Sequence, residues 1–160
     1  MAGRLGGPDA EETLAFRAID KVLRTDPFLA TKGVTFCSLQ GDNGDMAEPS
    51  TAQMPYVSIA PAGDGTGWWS ENQHKSDIIT LIYIYVDGTH ADDIINMWGW
   101  VRRGLFPTDP ARLAIVKAIM GDLVVNGELN KQAYSGYAPD AKASCLKAEG
   151  AIKLRINVNT

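Results

Sequence analysis

Few residues in this chain have the type and spacing to do chemistry, and three of them gather just past an apolar run. His90, Asp92 and Asp93 follow Asp87-Gly88 and spell H-x-D-D, a small metal or acid/base constellation if the three could converge. On a helix, neighbouring positions point about 100° apart, so residues this close in sequence fan outward instead. Acids in a first helical turn are favoured by about 0.3–1 kcal/mol each through the helix dipole. Thr89 and Asp92 also form the T-x-x-D pattern of a helix start. The segment is therefore read as a cap. The only other histidine, His74, has nothing near it in sequence to pair with.

Other patterns fall short in the same way. Gly63-x-Gly65-x-Gly67 follows a strand-like segment, but no G-K-[ST] comes after it, and Trp68-Trp69 stands where a phosphate-binding helix would begin. A flexible loop is expected there. Asp42, Asp45 and Glu48 do not keep the alternating spacing of a calcium loop. No G-x-S-x-G occurs, and neither Cys37 nor Cys145 has a histidine close in sequence. Without C-x-x-C the two cysteines suggest neither zinc nor redox work, and a bridge between them stays open. These patterns call for no cofactor, no metal and no catalytic residue. A small-molecule enzyme using the Tyr83/Tyr85 face or the His90 region is kept as an alternative.

What does need explaining is apolar surface away from the core. Trp68 and Trp69 sit in a glycine-rich, polar stretch, and tryptophan is enriched among interface anchors. Trp100 lies about 200° round its helix from Trp98, which belongs to the buried stripe. Arg102 and Arg103 follow two and three residues later as candidates to bridge to a neighbouring subunit. The expected interface residues are Trp68, Trp69, Trp100, Arg102 and Arg103.

These residues must be held by one domain. A chain of 160 residues buries about 68–70% of its unfolded surface and needs no staples. Its net charge of −4 argues against a main role in gripping phosphates. No apolar stretch approaches the 18 or so residues of a membrane span. MAGRLGGPDA lacks the apolar centre of a signal peptide, so synthesis in the cytoplasm is expected.

Along the chain, a flexible arm over 1–8 precedes Asp9, the expected cap of a helix whose stripe is Ala15, Ile19, Val22 and Leu23. Asp26-Pro27 ends it. Short strands are expected at 34–39 and 56–59. A long hairpin loop over 61–77 then leads to a central strand, 78–86, apolar on both faces and so expected to be covered on both. A helix with Ile94, Met97, Trp98, Val101 and Leu105 on one face stops before Pro107. Asp109-Pro110 opens another, with Leu113, Val116, Met120 and Leu123 as its stripe. Asn126-Gly127 suggests a tight hairpin turn before a strand at 131–137. Ile152, Leu154, Ile156 and Val158 alternate with polar residues as a closing strand. The reading is a single α+β domain over 1–160, a mostly antiparallel sheet flanked by about three helices.

This order of parts resembles the tail terminator proteins of long-tailed bacteriophages. The resemblance is carried by Pro55-Tyr56-Val57-Ser58-Ile59, by the run from Ile78 to Gly88, by the Asp92-Asp93-Ile94-Ile95-Asn96 helix start and by Ala151 to Val158. It spans most of the chain as shared architecture and patterning, without a diagnostic motif, and the 90–123 helix pair and 124–148 depart from it. It implies a structural virion protein without catalytic residues or cofactors. Such a protein forms a ring, six-membered in this family, that caps the tail tube, stops its polymerisation and joins it to the head connector or stopper. The implied partners are copies of itself, the tube protein and the connector, at the head–tail junction. DNA passes through the channel without specific binding, and the acidic balance suits that passage. A head-completion or other neck or adaptor protein is the neighbouring alternative.

Overall fold

The computed structural model describes residues 11–38, 51–70, 73–88, 90–121, 124–125, 130–137 and 145–159. Helix α1, Glu11–Arg24, forms on the expected stripe, with Ala15, Ile19, Val22 and Leu23 fully buried. Its expected cap, Asp9, lies outside the described residues. Asp26-Pro27 ends this helix but also starts another, the five-residue α2, Pro27–Thr31. Asp26 accepts a hydrogen bond from the Leu29 N–H at 3.0 Å, and Pro27 takes the first helical position, where its missing donor costs nothing. The same dipeptide opens α4, Pro110–Met120, where Asp109 accepts from the Arg112 N–H at 3.0 Å. With α3, Ala91–Leu105, the described chain has four α-helices against the expected three or so.

α3 begins one residue later than T-x-x-D suggests. Its N-cap is His90, whose carbonyl accepts from the Asp93 N–H at 3.1 Å and whose side chain makes no capping bond. Thr89 lies outside the described residues. Ile94, Met97, Trp98, Val101 and Leu105 are all buried, as their spacing predicts. In α4, Val116 and Met120 are buried, Leu113 only partly, and Leu123 lies outside the described residues.

The sheet contains β1, Thr35–Ser38; β2, Tyr56–Ser70; β3, Gln73–Asp87; β4, Val124–Val125; β5, Asn130–Tyr137; and β6, Cys145–Asn159. β1 pairs in parallel with β2, and every other pairing is antiparallel, in the order β1-β2-β3-β6. β4 and β5 both pair with β6 on the edge that β3 leaves free. The expected α+β domain with a mostly antiparallel sheet is what forms.

Three details differ from expectation. The hairpin over 61–77 is there, but its arms are paired strand, with only residues 71 and 72 between β2 and β3. Gly63, Gly65 and Gly67 stand opposite Ile79, Asp77 and Lys75. β3 can hold so glycine-rich a partner because its other edge is paired along its whole length, from Gln73–Asn159 to Asp87–Cys145. Second, Asn126-Gly127 lies outside the described residues, and the strands on either side of it, β4 and β5, run the same way along one edge of β6, Val124 opposite Arg155 and Asn130 opposite Ala151. They are two lengths of one interrupted edge strand.

Third, the described helices cover only one face of β3. Ile78, Thr80, Ile82, Ile84 and Val86 are buried on the helix side. There α1 lies over β2 and β3, and α3 over β3 and β6. On the reverse face Tyr85 is buried against Tyr56, with rings edge-to-face at 5.8 Å, while Ile79 is 40% exposed. Cys145 is a buried thiol outside any disulfide.

Candidate functional site

The helix start that opened the chemical question stays a helix start. His90, Asp92 and Asp93 are all exposed on the cap and first turn of α3, and among the described residues no three His, Cys, Asp or Glu groups gather as a metal would need. His74 is placed by its backbone alone, on β3 opposite Trp68. Asp42, Asp45 and Glu48 lie outside the described residues. Trp68 and Trp69 are on β2, where the register shifts between Trp68 and Ser70, and only their backbone is described.

Trp100, Arg102 and Arg103 are fully placed, and the structure separates them. Trp100 is half-buried, with the Phe28 ring edge-on at 5.4 Å and the Lys32 ammonium over its face at 4.8 Å. The same ammonium lies 5.2 Å from the Phe28 ring, so one cation caps two aromatic faces. Arg102 and Arg103 are exposed in the last turn of α3, where cations suit the helix dipole. Neither pairs with an acid among the described residues.

Sequence reasoning missed what brings Phe28 and Lys32 to Trp100. The short α2 sets them there, and it packs against α3 beside Gly104. A Cβ at position 104 would meet Leu23 Cδ2 at 3.4 Å, Leu29 Cδ1 at 3.6 Å and Asp26 Cγ at 3.7 Å. From α4, Arg112 reaches the same corner. Its Nη2 donates to the Val22 carbonyl at 2.8 Å and to Thr25 Oγ1 at 3.4 Å, and its Nε stands 3.7 Å from Asp26 Oδ1. The Asp-Pro pair was the available signal, and at Asp109-Pro110 it points to a helix start.

Beside Trp100 opens a groove of about 230 Å³ between the end of β3, the first half of α3 and the cis Met54–Pro55 bond. Met54, Pro55, Val86, Met97 and Trp100 form its apolar walls, and Asp87, Asp93 and Lys32 its polar lining. Small-molecule pockets run to about 300–1,000 Å³, so this groove is sized for a side chain more than for a cofactor.

A second cluster lies on the reverse face of the sheet, in the region the sequence left unread. Lys147 Nζ is 2.7 Å from Glu149 Oε1 and lies over the rings of Tyr83 at 5.1 Å and Tyr85 at 5.6 Å. Burial by itself lowers the pKa of this ammonium. The hydrogen bond to Glu149, with the electrostatic attraction of Tyr85, Glu149 and Tyr83, outweighs it and holds the pKa above lysine's ordinary value. The register places Lys147 opposite Tyr85 and Glu149 opposite Tyr83, so the cluster is a cross-strand ladder. The tyrosine face of the alternative enzyme reading is therefore occupied by this ion pair.

No family model matches the chain, and no curated protein matches it. Among solved structures it is similar to a chain of the "Virion of native gene transfer agent (GTA) particle". The identity is 16% over 89% of this chain and 93% of that one, with a TM-score of 0.47. Similarity at that level assigns neither family nor role.

Proposed function

We propose that the protein is a structural subunit of a phage-like virion, a tail terminator that closes a ring of copies on the end of the tail tube. The ring, of six copies by resemblance, stops tube polymerisation and offers its other face to the head connector or stopper at the head–tail junction. DNA passes through the ring unbound, and the subunit works by its surfaces, without catalysis or a cofactor. Trp68, Trp69, Trp100, Arg102 and Arg103 are the proposed contacts.

The observation that carries this reading is the order of elements along the chain. A helix is followed by a long hairpin, a central strand ending at Asp87-Gly88, a helix pair, and a closing strand that pairs beside the central one. That is the order on which the sequence resemblance rests. The acidic balance, −4 over the chain, supports passage of DNA over sticking to it.

Deleting the gene in the particle that carries it tests the reading. Overlong or headless tails are expected. Full heads without tails would move the protein to head completion, and particles of normal form would overturn both.

A further inference from the structure

We propose that the outer flank of α3, carrying Ile95 and Arg102, seats in the groove beside Trp100 of a second copy of this chain. This deepens the ring reading above and rests on it.

The groove is apolar with an acidic rim. Neither Asp87 nor Asp93 makes an ion pair among the described residues, although Lys32 lines the same groove, because the Lys32 ammonium lies over Trp100 and Phe28 instead. Among the described residues, the rim is left with two carboxylates that have no cation of their own. What fits is a cation carried beside an apolar side chain.

α3 presents that combination on its other flank. Ile95 is 48% exposed, and Arg102, seven residues on, lies in the same row. Gly99 stands between them with nothing within 4 Å of where a Cβ would be, so the row is open to an approaching surface. Phe106, 36% exposed, follows Arg102 just past the helix end.

The helix geometry decides how the two surfaces can meet. Ile95 is two residues past Asp93, and Arg102 is two past Trp100, a turn of about 200° in each case. Groove and row thus lie on opposite flanks of one rigid helix. They cannot meet within a chain, and a two-fold interface cannot bring both pairs together at once. The contact has to run head to tail, the heterologous kind that closes into a ring when the rotation permits. Apolar contact supplies the area, and the Arg102 charge against Asp87 and Asp93 sets register and orientation.

The test uses Arg102→Glu and Asp93→Lys, each alone and in equal mixture, with native mass measured across a concentration series beside the unaltered protein. The unaltered chain is expected to form a ring, and each variant alone to need at least tenfold more protein to assemble. The mixture is expected to recover assembly, because each altered flank finds its complement in the other variant and the two alternate around an even-numbered ring. Recovery also shows that both variants are folded. Variants that assemble like the unaltered protein, or a mixture that does not recover, would overturn the proposed contact and leave the ring reading standing. A dimer as the largest species would overturn the head-to-tail geometry. An unaltered chain that stays monomeric at every concentration would instead overturn the self-assembling ring, and the contact with it. A basic peptide that binds the groove of such a monomer would identify a foreign partner as the occupant.

Discussion

The corner formed by Asp26 and Arg112 holds α2 in place, and with it Lys32 at the edge of the groove, so its strength can be worked out and measured. Asp26 does two jobs with its two oxygens: Oδ2 caps α2 through the Leu29 N–H at 3.0 Å, and Oδ1 stands 3.7 Å from Arg112 Nε. Losing an N-cap acceptor costs about 1 kcal/mol. The ion pair is too long for a hydrogen bond, and its side chains are 10% and 12% exposed, so it is sheltered without being sealed. At an effective dielectric constant near 20 the attraction is about 4 kcal/mol, and desolvation of both groups offsets more than half of it, leaving about 1–2 kcal/mol. Asp26→Ala is therefore expected to cost about 2–3 kcal/mol. Asp26→Asn keeps an acceptor for Leu29 and is expected to cost about 1–2 kcal/mol. In urea, where slopes for small domains are about 1–3 kcal/mol/M, the alanine variant should shift the midpoint by about 1 M with its slope unchanged. A cycle of Asp26→Asn with Arg112→Met isolates the charge interaction, and a coupling of about 1–2 kcal/mol is expected. Equal losses for Asp26→Ala and Asp26→Asn would refute the capping half of the reasoning. A coupling near zero would refute the electrostatic half and leave the corner held by the Arg112 bond to the Val22 carbonyl.

Three further outcomes follow from other parts of the fold. Thr80 is fully buried on the helix face of β3 and its hydroxyl has no hydrogen-bond partner among the described residues, so Thr80→Val should raise stability by about 1 kcal/mol. A loss in thermal unfolding would mean that the hydroxyl is satisfied, for instance by a buried water. Gly104→Ala adds a Cβ that meets side-chain atoms at ordinary contact distances, and its place in the last turn of α3 reduces the helix-interior gain of about 1 kcal/mol, so a net gain of about 0.5 kcal/mol in urea melts is expected. A loss would show that the α2–α3 approach has no slack. The pKa of Lys147 is raised in the folded chain, so its stabilising contribution is complete below lysine's unfolded value of about 10.4 and is lost as pH rises through the higher folded value. Half-exposure and salt make that contribution small. The stability difference between the protein and Lys147→Met should be flat from pH 7 to about pH 10 and shrink above it, and a difference that grows with alkalinity would contradict the Lys147–Glu149 pairing.

The fold was legible wherever one periodicity acted alone. The stripes of α1 and α3 are buried as read, and α3 stops before Pro107 as proline requires. Legibility failed where partners far apart in sequence decide the outcome. Three glycines and a proline in Pro61 to Ser70 outweigh the strand preference of Thr66, Trp68 and Trp69. The segment becomes a strand because β3 offers an edge, and β3 is itself fixed along its full length by β6. The β4–β5 edge is the same case, since Asn126-Gly127 carries a local turn preference and only the position of β6 shows that both flanking strands run one way.

The two faces of β3 show a subtler limit. Alternation tells which residues share a face, and both sets are apolar, so cover on both sides is the natural inference. The described helices all lie on one side. The reverse side is closed by the Tyr56–Tyr85 pair, with Tyr83 beside it and Lys147 held over Tyr83 and Tyr85 by Glu149, and it tapers to an exposed Ile79. An apolar strand face can thus be sheltered by tyrosines and a lysine stem of its own sheet, and hydropathy does not separate that from cover by another layer. The same limit applies to the candidate site. Trp100 was legible as a residue off the buried stripe, but its neighbours come from α2, a helix of five residues with too few turns to show a period. Lys32 stands at the groove beside Trp100 because an aspartate before a proline starts a helix there, and that helix packs against α3 beside Gly104, one turn past Trp100.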